Sequence, residues 1–239
     1  MPLQIVPKIL GLAATILLTG QQFAVQAAPL VYLPDPTFSV LSRKGTPKDI
    51  TNGGGKRSIC PNLTQIDPDR VLTPIVPRDT FGGLSATANP TFWVYYPYTT
   101  DKPLSGVLSI RSTDSFRSQP SQQVPVTLPA QPGYVKLKLP ASIVERGMLA
   151  WTLTVVCDPV NRSRNPFVSG LVMVKPNVQL LERVEKLPQL EQAAEFARWG
   201  YWYDALDLVA QTDAKSGVKQ LMESSHLQSD FTNDLSVVR

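Results

Sequence analysis

The sequence predicts an immunoglobulin-like antiparallel β-sandwich followed by a C-terminal α-helical hairpin. Three observations carry that expectation. Short β-prone runs alternate with turn signals between residues 70 and 176. The chain holds 22 prolines in 239 residues, and proline is hostile to helix interiors. After Pro176 the apolar spacing switches to a helical period. Hydrophobic residues make up 43%, enough for one sizeable core.

In chain order, residues 1–27 come first. They carry one positive charge, Lys8, then an apolar run from Ile9 to Gly20, then the small-residue pattern Val25-Gln26-Ala27. This is the layout of a secretory signal peptide cleaved after Ala27. The run falls short of the roughly 20 residues that a membrane-spanning helix needs. A soluble mature protein outside the cytoplasm is expected, with no membrane span.

Residues 28–59 are rich in Pro, Gly, Thr and charge and read as a flexible basic segment. Its run GGGKR lacks the GxxxxGK[ST] spacing of a phosphate loop and follows no strand.

The expected sandwich covers residues 60–176. Its candidate strands are RVLTPIVP, TFWVYYPY (91–98), SGVLSIRST (105–113), QQVPVTLP, GYVKLKLP (133–140), MLAWTLTVVCD (148–158) and PFVSGLVMVKP (166–176). GYVKLKLP alternates, with Val135, Leu137 and Leu139 on one side and Lys136 and Lys138 on the other. MLAWTLTVVCD places Leu149, Trp151, Leu153, Val155 and Cys157 on one side. TFWVYYPY carries aromatics on both faces, so one face needs a cover, and the helical hairpin is a candidate for it.

Residues 177–212 hold VQLLERVEKL and then LPQLEQAAEFARWGYWYDALDLVAQ. Leu190, Ala193, Ala194 and Ala197 recur at helical spacing, Gly200 breaks the pattern, and a second helix runs from about Tyr201 to Gln211. The pattern A-x-x-G-x-W-x-x-A-L resembles a single tetratricopeptide unit, and one such unit needs a surface to dock on. Residues 213–239 read as an acidic tail that frays. Charge is uneven: 17 Lys/Arg against 9 Asp/Glu in residues 1–177, but 6 against 10 in residues 178–239. The basic residues are scattered, which argues against nucleic acid.

The cysteines decide whether to look for thiol chemistry. An exported chain with two, Cys60 and Cys157, pairs them in its oxidising compartment. The bond would close a loop of ~97 residues, worth roughly 4–5 kcal/mol by chain entropy. A nucleophilic Cys157 would need a base, and the one histidine, His226, sits in the tail. Two Cys and one His are too few and too scattered for zinc, so no metal and no cofactor is expected. No GxSxG occurs, and no catalytic set is assigned. In the loop after Cys157, Asp158 starts a turn and Arg162 or Arg164 braces it or recognises an anion.

Two aromatic groups are candidate contact surfaces. Trp199, Tyr201, Trp202 and Tyr203 either pack into the domain or form a partner-binding hot spot. Trp93 and Tyr95 either pair across strands or stack on a sugar.

The stretches PTFWVYYPY, VVCDPVNRSRNPFVSG and AEFARWGYWYDALDLVA, with GGGKRSIC upstream, resemble the cyanobacterial family of domain of unknown function 928 over roughly residues 55–211. The resemblance implies an exported protein of cyanobacterial type and no known activity. Its matching positions include Cys157, Asp158, Arg162, Gly200, Tyr203, Asp204 and Ala205. The expected function is an exported, non-enzymatic binding or adaptor module, periplasmic or at the cell surface, with an exported protein as partner. The alternatives are a carbohydrate-binding module using Trp93 and Tyr95, and a hydrolase of cell-wall or glycan material using acids such as Asp114 or Asp158.

Overall fold

Backbone pairing in this computed structural model organises most of the chain into sheets. The structure describes residues 29–38, 52–53, 63–65, 67, 69–113, 121–140, 147–212 and 215–227. Eleven strands are seen among them: β1 (Asn52–Gly53), β2 (Thr64–Gln65), β3 (Thr73–Pro74), β4 (Gly82–Ser85), β5 (Thr91–Tyr96), β6 (Tyr98–Thr99), β7 (Leu104–Ser112), β8 (Gln122–Leu128), β9 (Gly133–Lys138), β10 (Gly147–Val156) and β11 (Phe167–Val174). Four helices follow: α1 (Val178–Val184), α2 (Gln189–Arg198), α3 (Trp202–Ala210) and α4 (Lys215–Ser224). The fold is mainly β.

The larger sheet runs β1-β11-β10-β7-β8, with β4 added beside β11. A smaller sheet runs β3-β5-β9, and β2 pairs with β6. Antiparallel pairing dominates, as the alternating strands require, but β4 lies parallel to β11. That corrects an all-antiparallel expectation. The sequence reading also did not foresee β4, GGLS, because two glycines weaken a strand. Here glycine serves a close approach: a Cβ at Gly83 would sit 2.5 Å from Cβ of Trp202. The expected strand RVLTPIVP shrinks to the two residues of β3. Pro125, which cannot donate to a ladder, lies in β8 at the outer end of the sheet order.

Phe92 of β5 stacks on Trp151 of β10 at 4.8 Å between centroids and joins the two larger sheets. Tyr203 of α3 meets Phe92 edge-on at 5.3 Å. Trp151 Nε1 donates to the Tyr203 hydroxyl at 3.0 Å, which donates to the carbonyl of Leu171 at 2.7 Å. Burial leaves such groups no water, so the chain of partners is what makes a buried indole and phenol tolerable. α3 is thereby anchored on the β layer.

Two stretches carry more structure than their composition suggests. Within 28–59, expected to be flexible, Leu30, Tyr32 and Phe38 are buried, and the amide of Leu33 donates to the Ala197 carbonyl at 3.1 Å. In the tail, expected to fray, α4 buries Val218, Leu221 and Met222. No helix among the described residues is long and apolar enough to cross a membrane. Residues 1–28, with the expected signal peptide, lie outside the described residues.

Candidate functional site

The aromatic stretch 199–203 splits at Gly200. Helix α2 ends at Arg198 and Gly200 takes φ +78°, a conformation that glycine adopts without strain. A Cβ there would also come within 2.8 Å of the Asp35 amide nitrogen. The reversal turns Tyr201, Trp202 and Tyr203 inward. Trp202 is fully buried, donates from Nε1 to the Ile75 carbonyl at 3.0 Å and meets Tyr32 edge-on at 5.1 Å. Tyr201 donates to the Lys175 carbonyl at 3.1 Å. These three are core side chains and present no contact surface, which corrects their reading as partner-binding residues.

Trp199 stays 51% exposed. The Arg183 guanidinium lies over its ring at 5.6 Å. Glu195 accepts from Arg183 at 3.1 Å and from Arg198 at 2.6 Å, tying the cation over the indole to a second one on the residue before Trp199. Leu33, half exposed, runs alongside where its amide bonds Ala197. Arg183 escaped the sequence reading because it reaches Trp199 from a different helix.

Trp93 and Tyr95 are buried and offer no platform for a sugar ring. Lys136, paired with Trp93 across β5 and β9, sets its ammonium 5.5 Å from the indole centre and 2.5 Å from Asp207 Oδ1. Tyr95 meets Tyr134 edge-on at 5.5 Å and receives a hydrogen bond from Arg70 at 3.4 Å.

The Cys157 loop is self-braced. Asp158 Oδ1 accepts from the amides of Val160 and Asn161 at 3.0 and 2.7 Å, and its Oδ2 lies 3.9 Å from Arg164. Arg162 stands in the 3-10 turn Arg162–Arg164. The centre of the brace is Asn165, which the sequence reading missed. It is buried, accepts from the amides of Cys157 and Asp158 at 3.1 and 2.9 Å and donates to the Asp158 carbonyl at 3.1 Å. Asp158 is occupied by its own turn. Asp114, the other acid considered, and Cys60 lie outside the described residues. The described residues contain no free cysteine. His226 faces Asp79 at 2.7 Å. No group of three or more His, Cys, Asp or Glu among the described residues could hold a metal ion.

A cleft of about 750 Å³ opens between α1–α3 and the β side. Its lining includes Thr87, Asn89 and Lys138 on the β side and Glu182, Gln192 and Asp204 on the helical side. Asp204 Oδ2 accepts from the Ala86 amide at 2.8 Å and ties α3 to the end of β4. Protein packed around the carboxyl raises its pKa to about 7, against the downward pull of the Ala86 amide and the Thr87 and Ser85 hydroxyls. A carboxyl in that range both donates and accepts hydrogen bonds at neutrality. An acid in a helix's first turn is ordinary, so nothing local distinguished Asp204.

No curated protein matches the chain. The family profile described as Domain of Unknown Function (DUF928) matches residues 52–233; that span takes in every described strand, the Cys157 loop, Trp199 and the cleft, and the chain belongs to this family.

Proposed function

We propose that the chain is an exported, non-enzymatic binding module, periplasmic or at the cell surface, that docks an exported protein through the face around Trp199. The observation that supports it is the half-exposed indole with Arg183 over it and Arg198 beside it. Three neighbouring aromatics are buried while this one faces solvent. Tryptophan and arginine are the residues that most often dominate protein interfaces. The complementary partner offers an apolar pocket for the indole and carboxylates for the guanidiniums. The same reading takes 1–27 as the export signal, and Cys60–Cys157 as a disulfide securing the loop that Asn165 braces. It treats the sheets as an immunoglobulin-like sandwich carrying α2 and α3 as a tetratricopeptide-like hairpin.

Site-specific photo-crosslinking tests it. A photoreactive residue replaces Arg198 in one variant and Val160, 93% exposed on the Cys157 loop, in another. The expected result is an adduct specific to position 198 that disappears when Trp199→Ala is added with the circular dichroism spectrum unchanged. Identical adducts at both positions, or an adduct indifferent to Trp199→Ala, reject the reading.

A further inference from the structure

The geometry points to a second binding site, separate from the Trp199 face: the cleft between α1–α3 and the β side takes an extended peptide segment bearing lysine or arginine between aliphatic residues.

The cleft combines two chemistries. Its apolar lining comes from Leu181 and Leu208, both partly buried, together with the buried Leu139, Val184 and Phe196. Val178, at the start of α1, is 64% exposed yet lines it, so apolar surface is left facing the cavity. The rim is acidic. Glu182 of α1 and Glu185, which caps the C-terminus of α1 with helical backbone angles, are three residues apart on neighbouring positions of one face and both line the cleft. Neither is in an ion pair among the described residues. Asp207 is already met by Lys136, and Lys138 is the cation among the lining residues opposite the exposed Glu182 and Glu185.

Those features select the ligand. A lysine or arginine lays an aliphatic stem on apolar surface and carries its charge outward to a carboxylate, matching an apolar floor beneath an acidic rim. An anion would meet the carboxylates before Lys138. A glycan would want an open aromatic face, but the two aromatic liners, Phe196 and Tyr203, are 5% and 1% exposed. Asn89 supplies a hydrogen-bonding side chain for a peptide backbone, whereas Gln192 Nε2 already donates to the Leu187 carbonyl and the Thr87 hydroxyl already bonds Ser85.

The test is amide shift mapping of the full mature chain by nuclear magnetic resonance with three probes: acetyl-Leu-Lys-Leu-Lys-amide, its glutamate counterpart acetyl-Leu-Glu-Leu-Glu-amide, and tetra-N-acetylchitotetraose. The expected result is saturable shifts at Thr87, Asn89 and Gln192 with the lysine peptide alone. Glu182→Gln/Glu185→Gln, two changes on exposed positions, should weaken it about tenfold, as losing two rim charge pairs predicts. No shift at millimolar peptide, equal binding of the glutamate peptide, indifference to the double variant, or shifts with the glycan instead would each overturn the inference. The crosslink at position 198 reads Trp199, Arg183 and Arg198, none of which lines the cleft, so the two proposals stand or fall separately.

Discussion

Trp199 and Trp202 are three residues apart and have opposite fates. Trp202 is sealed between Gly83, Tyr32 and the Ile75 carbonyl. Trp199 lies half in solvent under a guanidinium. Composition and propensity do not separate them; the reversal at Gly200 does. Burial is therefore concentrated on the inner side of the turn, and the outer side keeps a half-exposed indole.

The largest effect is expected from Trp202→Ala. It empties a fully buried site and removes a buried hydrogen bond, so denaturant unfolding should show a loss of about 3–5 kcal/mol. A loss below about 1 kcal/mol would mean that α3 is not anchored as described.

Tyr203→Phe should come next. It keeps the ring against Phe92 but leaves the Trp151 indole N–H and the Leu171 carbonyl without the hydroxyl between them. A cost of about 1–3 kcal/mol is expected in the same titration, with the far-ultraviolet spectrum unchanged.

Asp204 should give a smaller, pH-dependent signal. Unfolded, the carboxyl titrates near 3.8; folded, near 7. Between those values the native chain holds a proton that the unfolded chain has lost. Its contribution to stability is therefore full below about 4, falls as pH rises to about 7, and is constant above. Asp204→Asn keeps an acceptor for the Ala86 amide and removes the titration. The variant should gain on the parent as pH rises from 4 to 7. Parallel pH profiles would show that Asp204 is not desolvated in solution.

Trp199→Ala should change stability least, within about 0.5 kcal/mol, as for other exposed positions, while abolishing the crosslink at position 198. A loss comparable to Trp202→Ala would make Trp199 a structural residue and erase the contrast.

Much of the strand pattern was legible. The alternations of β9 and β10 gave the right buried sides, including Leu137, Trp151 and Leu153, because a half-buried strand writes its environment into every second residue. β4 was not legible, because its glycines answer to Trp202 and to the Leu171 backbone, far away in the chain. In β5 every residue is buried, so alternation could not tell a ligand platform from core. Of the candidate site, Asp158 and Arg164 were legible as a local brace, whereas Asn165, Arg183 and Asp204 owe their roles to partners from other positions or elements.

The sequence by itself determined the mainly β character, the switch to helix after Pro176 and the break at Gly200, since periodicity, proline and glycine act within a few residues of themselves. Only the tertiary structure decided which tryptophan is core, which carboxyl is desolvated and where a cleft remains. Burial and pKa depend on what lies across a gap, and the groups across these gaps come from distant parts of the chain, as the Tyr32 ring and the Ile75 carbonyl do at Trp202.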